Sequence, residues 1–212
     1  MMRQTLDVML TRYPVLAPCA DAIETACAAI ISAYERGGIL LTCGNGGSCA
    51  DADHIVGELM KGFCRRRPLD DAQRAALCET HGEWGALLAE QLQQPLRAVS
   101  LSGLSALATA FGNDVNPDLI YAQQAYAFAS PTSVLLGVST SGNARNVLAA
   151  AVAMKAKGGV TIGLTGADGG RMNEVYDIML RVPETETYRV QELHLPVYHT
   201  ICLAVESHFF KQ

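Results

Sequence analysis

The sequence predicts an α/β protein in which helices cover both faces of a mostly parallel sheet. Short, continuously apolar segments alternate with longer amphipathic segments along the chain, as strands and helices do in βαβ units. Glycine and hydroxyl residues follow several of the apolar segments, as in loops that leave a buried sheet. The 212 residues are expected to form one domain rather than two small ones, because a chain of this length supports a sufficient core.

Composition and charge exclude several classes of protein. With 50% hydrophobic and 17% charged residues, the chain is not intrinsically disordered. Its formal charge of −5 offers no broad surface to nucleic acid, and no apolar run approaches the roughly 20 residues of a membrane helix. The first residues lack the apolar segment of a signal peptide. The seven cysteines are odd in number and irregularly spaced, which predicts reduced and largely buried thiols in a cytoplasmic protein. From the charge and the apolar runs we expect neither a membrane nor a nucleic-acid partner.

The first part of the chain is predicted to form two helices, a buried strand and a third helix. Tyr13-Pro14 separates the first two helices, and Gly37-Gly38 ends the second. A continuous apolar run then predicts the strand, because a strand in a parallel sheet is buried on both faces. These elements are residues 5–11, 18–36, 39–43 and 49–62.

Residues 63–95 interrupt this alternation and are predicted to be a helical insertion. They contain two amphipathic stretches, at 70–78 and 84–93, and are too short for a core of their own. The segment opens with the basic residues Arg65, Arg66 and Arg67. These arginines form either a solvated turn or a basic rim that attracts an anionic substrate.

The rest of the chain repeats the order of strand, loop and helix. Asn116-Pro117 predicts a helix start, because a capping side chain is followed by proline at the first helical position. The predicted strands are residues 96–101, 133–138, 160–164 and 177–182. The predicted helices are residues 102–112, 117–129, 144–157 and 188–210.

Three of the predicted strands end in small loops rich in glycine or hydroxyl residues, at 44–48, 139–143 and 165–170. In a parallel sheet such loops lie at the edge where ligands bind. Their backbone N–H groups and the helices that follow favour an anion, although the same residues also serve as plain turns and caps. No nucleotide-binding motif is present, and the loops lack lysine and arginine except at Arg171 just beyond them. We therefore expect a phosphate monoester rather than a triphosphate.

Two pairs of side chains have the spacing of a metal site on helices. His54 and Glu58 are four residues apart, and Gln191 and His199 are eight apart, so each pair shares one helix face. Nitrogen and oxygen ligands of this kind suit Zn²⁺ or a similar divalent ion. A surface pair without a metal is the alternative interpretation of His54 and Glu58. His194 and Glu192 are interpreted as packing groups or as groups that stand behind the metal ligands.

Taken in order, these segments resemble the sugar isomerase (SIS) domain family, and within it the phosphoheptose isomerases. The similarity extends from about residue 27 to residue 210 and is weakest in 63–94. The motifs that carry it are Cys43–Ser48, His54, Glu58, Asn113-Asp114, Ser139–Asn143, Leu164–Gly170 and the segment from Gln191 to His199. Their combination, in order, is far more specific than any one of them.

The resemblance implies a fold, an assembly and a reaction. The fold would be a three-layer α/β/α sandwich with a five-stranded parallel sheet, in a single SIS domain over residues 1–212. Residues 1–36 would be its helical N-terminal segment and 63–95 its insertion. The assembly would be a homotetramer with active sites at subunit interfaces. The reaction would be a metal-assisted aldose–ketose isomerisation, through an enediol, of sedoheptulose 7-phosphate or a related phosphorylated sugar.

The resemblance also implies roles for single residues. Glu58 would be the catalytic base and His199 the acid. Zinc or another divalent cation would be bound by His54, Glu58, Gln191 and His199. The substrate would contact Asn45, Gly46, Gly47, Ser48, Asn113, Asp114, Ser139, Thr140, Ser141 and Gln191.

Some positions depart from the isomerase pattern and leave the choice of sugar open. Tyr188 stands where the isomerases carry an acidic residue, Ala144 stands where they carry a serine, and the arginine expected one turn after Glu58 is missing. The alternative function is a non-catalytic protein of the DnaA initiator-associating type, a branch that has lost the metal-type residues. A third hypothesis is a sugar-phosphate sensor or a lyase on the same fold.

Overall fold

The computed structural model describes residues 2–211, which form five β-strands and ten α-helices. The strands are β1 (Leu40–Gly44), β2 (Ala98–Ser100), β3 (Val134–Val138), β4 (Val160–Thr165) and β5 (Ile178–Arg181). The helices are α1 (Met2–Arg12), α2 (Ala20–Glu35), α3 (Gly47–Met60), α4 (Asp71–Thr80), α5 (Gly82–Gln91), α6 (Ser105–Asp114), α7 (Ile120–Phe128), α8 (Arg145–Ala156), α9 (Met172–Val175) and α10 (Thr187–Phe209).

All five strands pair in parallel, in the order β2-β1-β3-β4-β5. Leu41 of β1 lies opposite Val99 of β2 on one side and Leu135 of β3 on the other, so later strands are added to the sheet on both sides of β1. In sheets with this order, the loops after β1 and β3 leave in opposite directions and open a crevice at the carboxyl edge. The five-stranded parallel sheet predicted from the sequence is confirmed.

Two separate cores lie on the two faces of the sheet, because side chains alternate along each strand. Leu40 and Leu136 point to the face covered by α1, α2, α3 and α10. Leu41 and Leu135 point to the face covered by α7, α8 and α9. Strands β1 and β3 are therefore buried along their whole length, which explains their continuous apolar sequences.

One helical stretch is long and apolar enough, by length and composition, to cross a membrane, contrary to the expectation that no apolar run approaches this length. It runs from Pro14 to Glu35 and comprises a 3₁₀ turn followed by α2. Its apolar face is buried in the core on one side of the sheet, with Ile23 and Ile30 each 1% exposed. This stretch therefore serves as a core helix in the structure.

The elements differ from their predicted bounds where local contacts override the periodicity. Strand β2 covers only three residues, because the N–H of Leu96 bonds the carbonyl of Leu59 in α3 rather than the sheet. The helix predicted over 117–129 begins as a 3₁₀ turn, in which the Asn116 side chain accepts from the N–H of Asp118 at 2.8 Å. Helix α9 has four residues and was not predicted, because so short a segment has no period to detect.

The predicted helical insertion is a pair of helices, α4 and α5, that packs mostly on itself. Asp70 and Gln73 form a reciprocal capping box at the start of α4. A Cβ at Gly85 would overlap the Leu77 carbonyl, so only glycine permits this close approach of the two helices. The pair leaves Trp84 and Leu87 largely exposed to solvent.

Candidate active site

The loop after β1 lies at the carboxyl edge of the sheet and leads directly into α3. Gly46 has a φ of +56°, which favours glycine, and it precedes the first residue of the helix. A Cβ at Gly47 would overlap the Nε2 atom of Gln191. The glycine loop and the predicted substrate and metal residue Gln191 of α10 are therefore in direct contact, across 144 positions of sequence.

A reciprocal pair of amides joins the loop after β1 to the first turn of α8, the helix that follows β3. The Asn45 Nδ2 atom donates to Asn146 Oδ1 at 2.8 Å, and Asn146 Nδ2 donates to Asn45 Oδ1 at 2.9 Å. The Tyr121 hydroxyl fixes the same loop by donating to the Gly44 carbonyl at 2.6 Å. Sequence reasoning missed both partners of the loop. Asn146 could have been suspected from its place in the first turn of α8, whereas no local signal marks Tyr121.

The hydroxyl-rich loop after β3 is held against the loop after β4. The N–H of Gly166 donates to the Thr140 carbonyl at 3.1 Å, and the N–H of Met172 donates to the Gly142 carbonyl at 3.0 Å. Gly142 has a φ of +65°, and a Cβ there would overlap the Gly169 carbonyl. The N-cap residue Ala144 makes no side-chain hydrogen bond to α8, but the Asn146 Oδ1 atom accepts from the N–H of Val147 at 3.0 Å. The N–H groups before Val147 are therefore the ones at this helix end suited to an anion.

The other predicted substrate residues have different places. Ser48 is buried in the first turn of α3, and Ser139 is 7% exposed at the end of β3. Asn113 and Asp114 are exposed at the end of α6, where the Asn113 Nδ2 atom donates to Asp114 Oδ1 at 2.9 Å. Within residues 2–211, no hydrogen bond joins Asn113 or Asp114 to the loops at the sheet edge, so their contact with substrate stays a prediction.

His54, Glu58 and His199 meet where α3 packs against α10. The His54 Nε2 atom lies 3.1 Å from Glu58 Oε1, and the rings of His54 and His199 are nearly perpendicular with centroids 5.1 Å apart. The second Glu58 oxygen, Oε2, accepts from Lys61 Nζ at 2.8 Å. The helical spacing seen in the sequence therefore brings His54 and Glu58 together, and the packing of α3 on α10 adds His199.

Burial and neighbouring charges set the protonation of this cluster. Burial alone would raise the pKa of Glu58, but hydrogen bonds and charge from Lys61 and His54 outweigh it and lower the pKa. Burial, and then the proximity of His54, lowers the pKa of His199. At neutral pH the cluster thus combines an ionised carboxylate with a neutral imidazole.

Comparison with known proteins identifies the family. Residues 11–94 match the SIS domain family. The chain is 38% identical over 192 residues to a phosphoheptose isomerase of Rhodospirillum rubrum, a match that covers 91% of this chain and 88% of that protein. The chain belongs to the phosphoheptose isomerase family. It is also 36% identical to the phosphoheptose isomerase of Solidesulfovibrio magneticus, over 91% of this chain and 81% of the relative.

Solved structures of phosphoheptose isomerases share the fold. One, from Neisseria gonorrhoeae, has a TM-score of 0.72 and 29% identity, and the match covers 97% of this chain and 91% of that one. Another, from Francisella tularensis, has a TM-score of 0.73 and 30% identity, with 95% and 91% covered. The three-layer α/β/α sandwich expected from the resemblance is therefore confirmed.

The residues that the family resemblance assigns to a metal have the chemistry to bind one. Over residues 2–211, no three His, Cys, Asp or Glu side chains are placed around a common point. However, the 3.1 Å between His54 Nε2 and Glu58 Oε1 is close to the ligand separation of about 3.3 Å that tetrahedral zinc requires. The buried Nε2 atom of His199 has no hydrogen-bond partner in the described chain and is a third potential ligand. Gln191 lies beside Gly47, seven positions before His54, so its place in the metal site stays a prediction.

A second layer of side chains, which sequence reasoning missed, stands behind His54. The Tyr198 hydroxyl lies 3.0 Å from His54 Nδ1 and donates to Asp51 Oδ1 at 3.3 Å. The other oxygen, Asp51 Oδ2, lies 4.0 Å from the Nδ1 atom of His194. His194 is fully buried, as its interpretation as a packing group implied, and burial lowers its pKa to about 4. In the sequence, the signal for these side chains was Asp51, because it stands one helical turn before His54.

The expectation of a three-arginine rim is wrong for Arg67. Its side chain is fully buried and forms an ion pair with Glu206 of α10, with Nη2 and Oε1 2.8 Å apart. Its guanidinium also lies over the ring of Phe210, at 4.6 Å from the centroid. A buried carboxylate that lies 139 positions away draws this arginine inward, so only Arg65 and Arg66 are left for the outer surface.

Proposed function

We propose that this protein is an isomerase that interconverts an aldose phosphate and a ketose phosphate, with sedoheptulose 7-phosphate as the expected ketose. The observation that carries the proposal is the cluster of His54, Glu58 and His199, formed by α10 and the helix that follows the glycine loop, in a chain of the phosphoheptose isomerase family. Because these residues are present together, nothing favours the non-catalytic alternative of the DnaA initiator-associating type.

The phosphate group is proposed to bind the loop after β3, at the start of α8. Ser139, Thr140 and Ser141 provide hydroxyl groups there, and the N–H groups of α8 before Val147 are proposed as further donors. Asn45 of the glycine loop, and Gln191 beside Gly47, are proposed to lie on the other side of the crevice. Anchoring the distant phosphate holds the reacting carbons in position, so that binding energy contributes to the rate.

Glu58 is proposed to remove the proton from the carbon next to the carbonyl, because its lowered pKa keeps it ionised. The carbonyl oxygen takes up a proton as the enediol forms, and His199 is the proposed donor. Glu58 then gives the same proton, or one from solvent, to the former carbonyl carbon. At the same time the hydroxyl on the other carbon returns a proton to His199 and becomes the new carbonyl, which completes the isomerisation and restores both residues. Acid–base groups of this kind each contribute about 10²–10⁴-fold to a rate.

His54, Glu58, Gln191 and His199 are proposed to hold zinc or another divalent cation. Such an ion supplies polarisation of the substrate carbonyl when it is bound. Glu58 has one oxygen beside His54 and the other beside Lys61, so the two tasks of ligand and base compete for a single carboxylate. Equal metal content in the wild type and in His54→Ala, measured by elemental analysis, would contradict this site.

The assembly is proposed to be a cytoplasmic homotetramer in which α10 and residues 63–94 of adjacent chains approach each other's sites. A groove of about 560 Å³ between α1 and α10 supports the proposal, since His199 forms part of its wall. The exposed apolar side chains of Trp84 and Leu87 in the insertion also support an interface between chains. Light scattering that gives a monomer would contradict the tetramer.

The cytoplasmic location is supported by the cysteines, because all seven are free thiols and thiols stay reduced in that compartment.

The central experiment is a screen of the purified protein against aldose and ketose phosphates of five to seven carbons. We expect turnover by the wild type and a loss of about 10²–10⁴-fold in kcat for Glu58→Gln, because the base is removed while the phosphate loop is intact. Asp53→Asn is the matched control, since it removes a carboxylate from an exposed position of the same helix. Absence of turnover with every sugar phosphate, with and without zinc, would refute the proposed activity.

A further inference from the structure

The Tyr198 hydroxyl lies between two groups that compete for its single proton. It is 3.0 Å from His54 Nδ1 and 3.3 Å from Asp51 Oδ1. An ionised carboxylate can only accept hydrogen bonds, so the hydroxyl proton is directed to Asp51. The hydrogen bond between Tyr198 and His54 must then use a proton on His54 Nδ1.

This arrangement leaves the other ring nitrogen of His54, Nε2, as the one without a proton. That nitrogen faces Glu58 Oε1 at 3.1 Å, and Glu58 is itself an acceptor when ionised. Two acceptors at this distance repel each other unless a positive centre joins them. A pair of this kind is therefore suited to bind a cation through both atoms.

We propose that Tyr198 and Asp51 are positioning residues that keep the proton of His54 on Nδ1, so that Nε2 and Glu58 together present a cation-binding pair. The inference rests on the proposed function, because the cation is the divalent ion proposed above. Without the hydroxyl, the His54 proton is free to move to Nε2 and to donate to Glu58 Oε1. That hydrogen bond would occupy both atoms and block the pair.

Packing separates this role of Tyr198 from a merely structural one. The His54 ring packs edge to face against the rings of Tyr198 and His199, at centroid distances of 5.4 Å and 5.1 Å. Tyr198→Phe keeps the ring contact and removes only the hydroxyl. Tyr176→Phe is the matched control, because Tyr176 is also buried and its hydroxyl donates to the Val147 carbonyl at 2.9 Å, in the core on the other face of the sheet.

The test measures zinc affinity of the full-length protein by competition with a chromophoric chelator, without using activity. We expect Tyr198→Phe to bind zinc about 10–100-fold more weakly than the wild type, as loss of a partner behind a ligand usually does. Asp51→Asn should show a smaller loss, because its amide oxygen still accepts. Tyr176→Phe should match the wild type in affinity. Equal affinity of Tyr198→Phe and the wild type would overturn the inference while leaving the metal site in place.

A second measurement decides the inference even if the wild type binds no zinc, a result that would refute the metal part of the proposed function. Nitrogen-15 NMR of the zinc-free protein in alkaline buffer reports which ring nitrogen of His54 carries the proton. We expect the proton on Nδ1 in the wild type and on Nε2 in Tyr198→Phe. A wild-type protein with the proton on Nε2 would overturn the inference.

Discussion

The buried ion pair of Arg67 and Glu206 connects α3, α10 and the start of the insertion. Arg67 Nε donates to Glu206 Oε1 at 2.9 Å, and Nη1 donates to the Leu59 carbonyl at 2.7 Å. The N–H groups of Phe63 and Cys64 each donate to the Glu206 carboxylate at 2.8 Å. The pair thus provides a hydrogen-bond donor to a carbonyl group at the end of α3, the helix that carries Glu58. It also holds the segment that contains Phe63, whose ring lies beside His199.

We predict that Arg67→Met lowers the free energy of unfolding by about 3–5 kcal/mol, because it leaves the Glu206 carboxylate buried without its cation. For a chain of this size, about 2–4 °C in Tm accompanies each kcal/mol, so Tm should fall by about 6–20 °C. The double variant Arg67→Met/Glu206→Leu should lose less than the sum of the two single variants, since it leaves no buried charge.

Chemical denaturation and calorimetry measure these losses. Arg145→Met is the matched control, because Arg145 pairs with Asp118 at 3.2 Å on the surface, with 76% of its side chain exposed. Exposed pairs contribute about 0.2–1 kcal/mol. The reasoning would be refuted if Arg67→Met were no more destabilising than Arg145→Met, or if the losses in the double variant were simply additive.

Three further predictions concern the same elements. Gly47→Ala should weaken substrate binding and lower kcat/KM, because its Cβ would displace the Gln191 side chain; unchanged kinetics would show that Gln191 has no part in binding. Ser139→Ala combined with Ser141→Ala should weaken sugar-phosphate binding several-fold or more in calorimetry, because hydrogen bonds to a charged group contribute about 1.5–3 kcal/mol each; equal affinity would leave the loop as a turn. Burial would raise the pKa of Glu206, but hydrogen bonds from the N–H groups of Cys64 and Phe63 and the charge of Arg67 outweigh it and lower the pKa. The ionised carboxylate therefore stabilises the fold above the unfolded-state pKa of 4.5, and this stabilisation disappears as the pH falls through the lower folded-state pKa. Glu206→Gln should therefore be less stable than the wild type at neutral pH, and denaturation curves of the two should converge in acid; a constant difference would contradict this.

The sequence alone determined the features that depend on local periodicity and on single residue types. The five apolar strand segments, the long helices and the glycine loops follow from alternation, helical spacing and glycine's tolerance of positive φ, as at Gly46. The contact of His54 with Glu58 also follows locally, since residues four apart share a helix face. The family resemblance extended this to His199 and Gln191, which lie on another helix.

Only the tertiary structure decided which distant groups meet. The order of the strands places the loop after β1 beside the start of α8, and this pairs Asn45 with Asn146. The packing of α3 on α10 places the Tyr198 hydroxyl between His54 and Asp51. Arg67 was expected near the surface because basic residues usually stay in water, yet Glu206 offers enough hydrogen bonds and charge to bury it. Local sequence carries no record of such partners, because hydrogen bonds and ion pairs depend on distance in space.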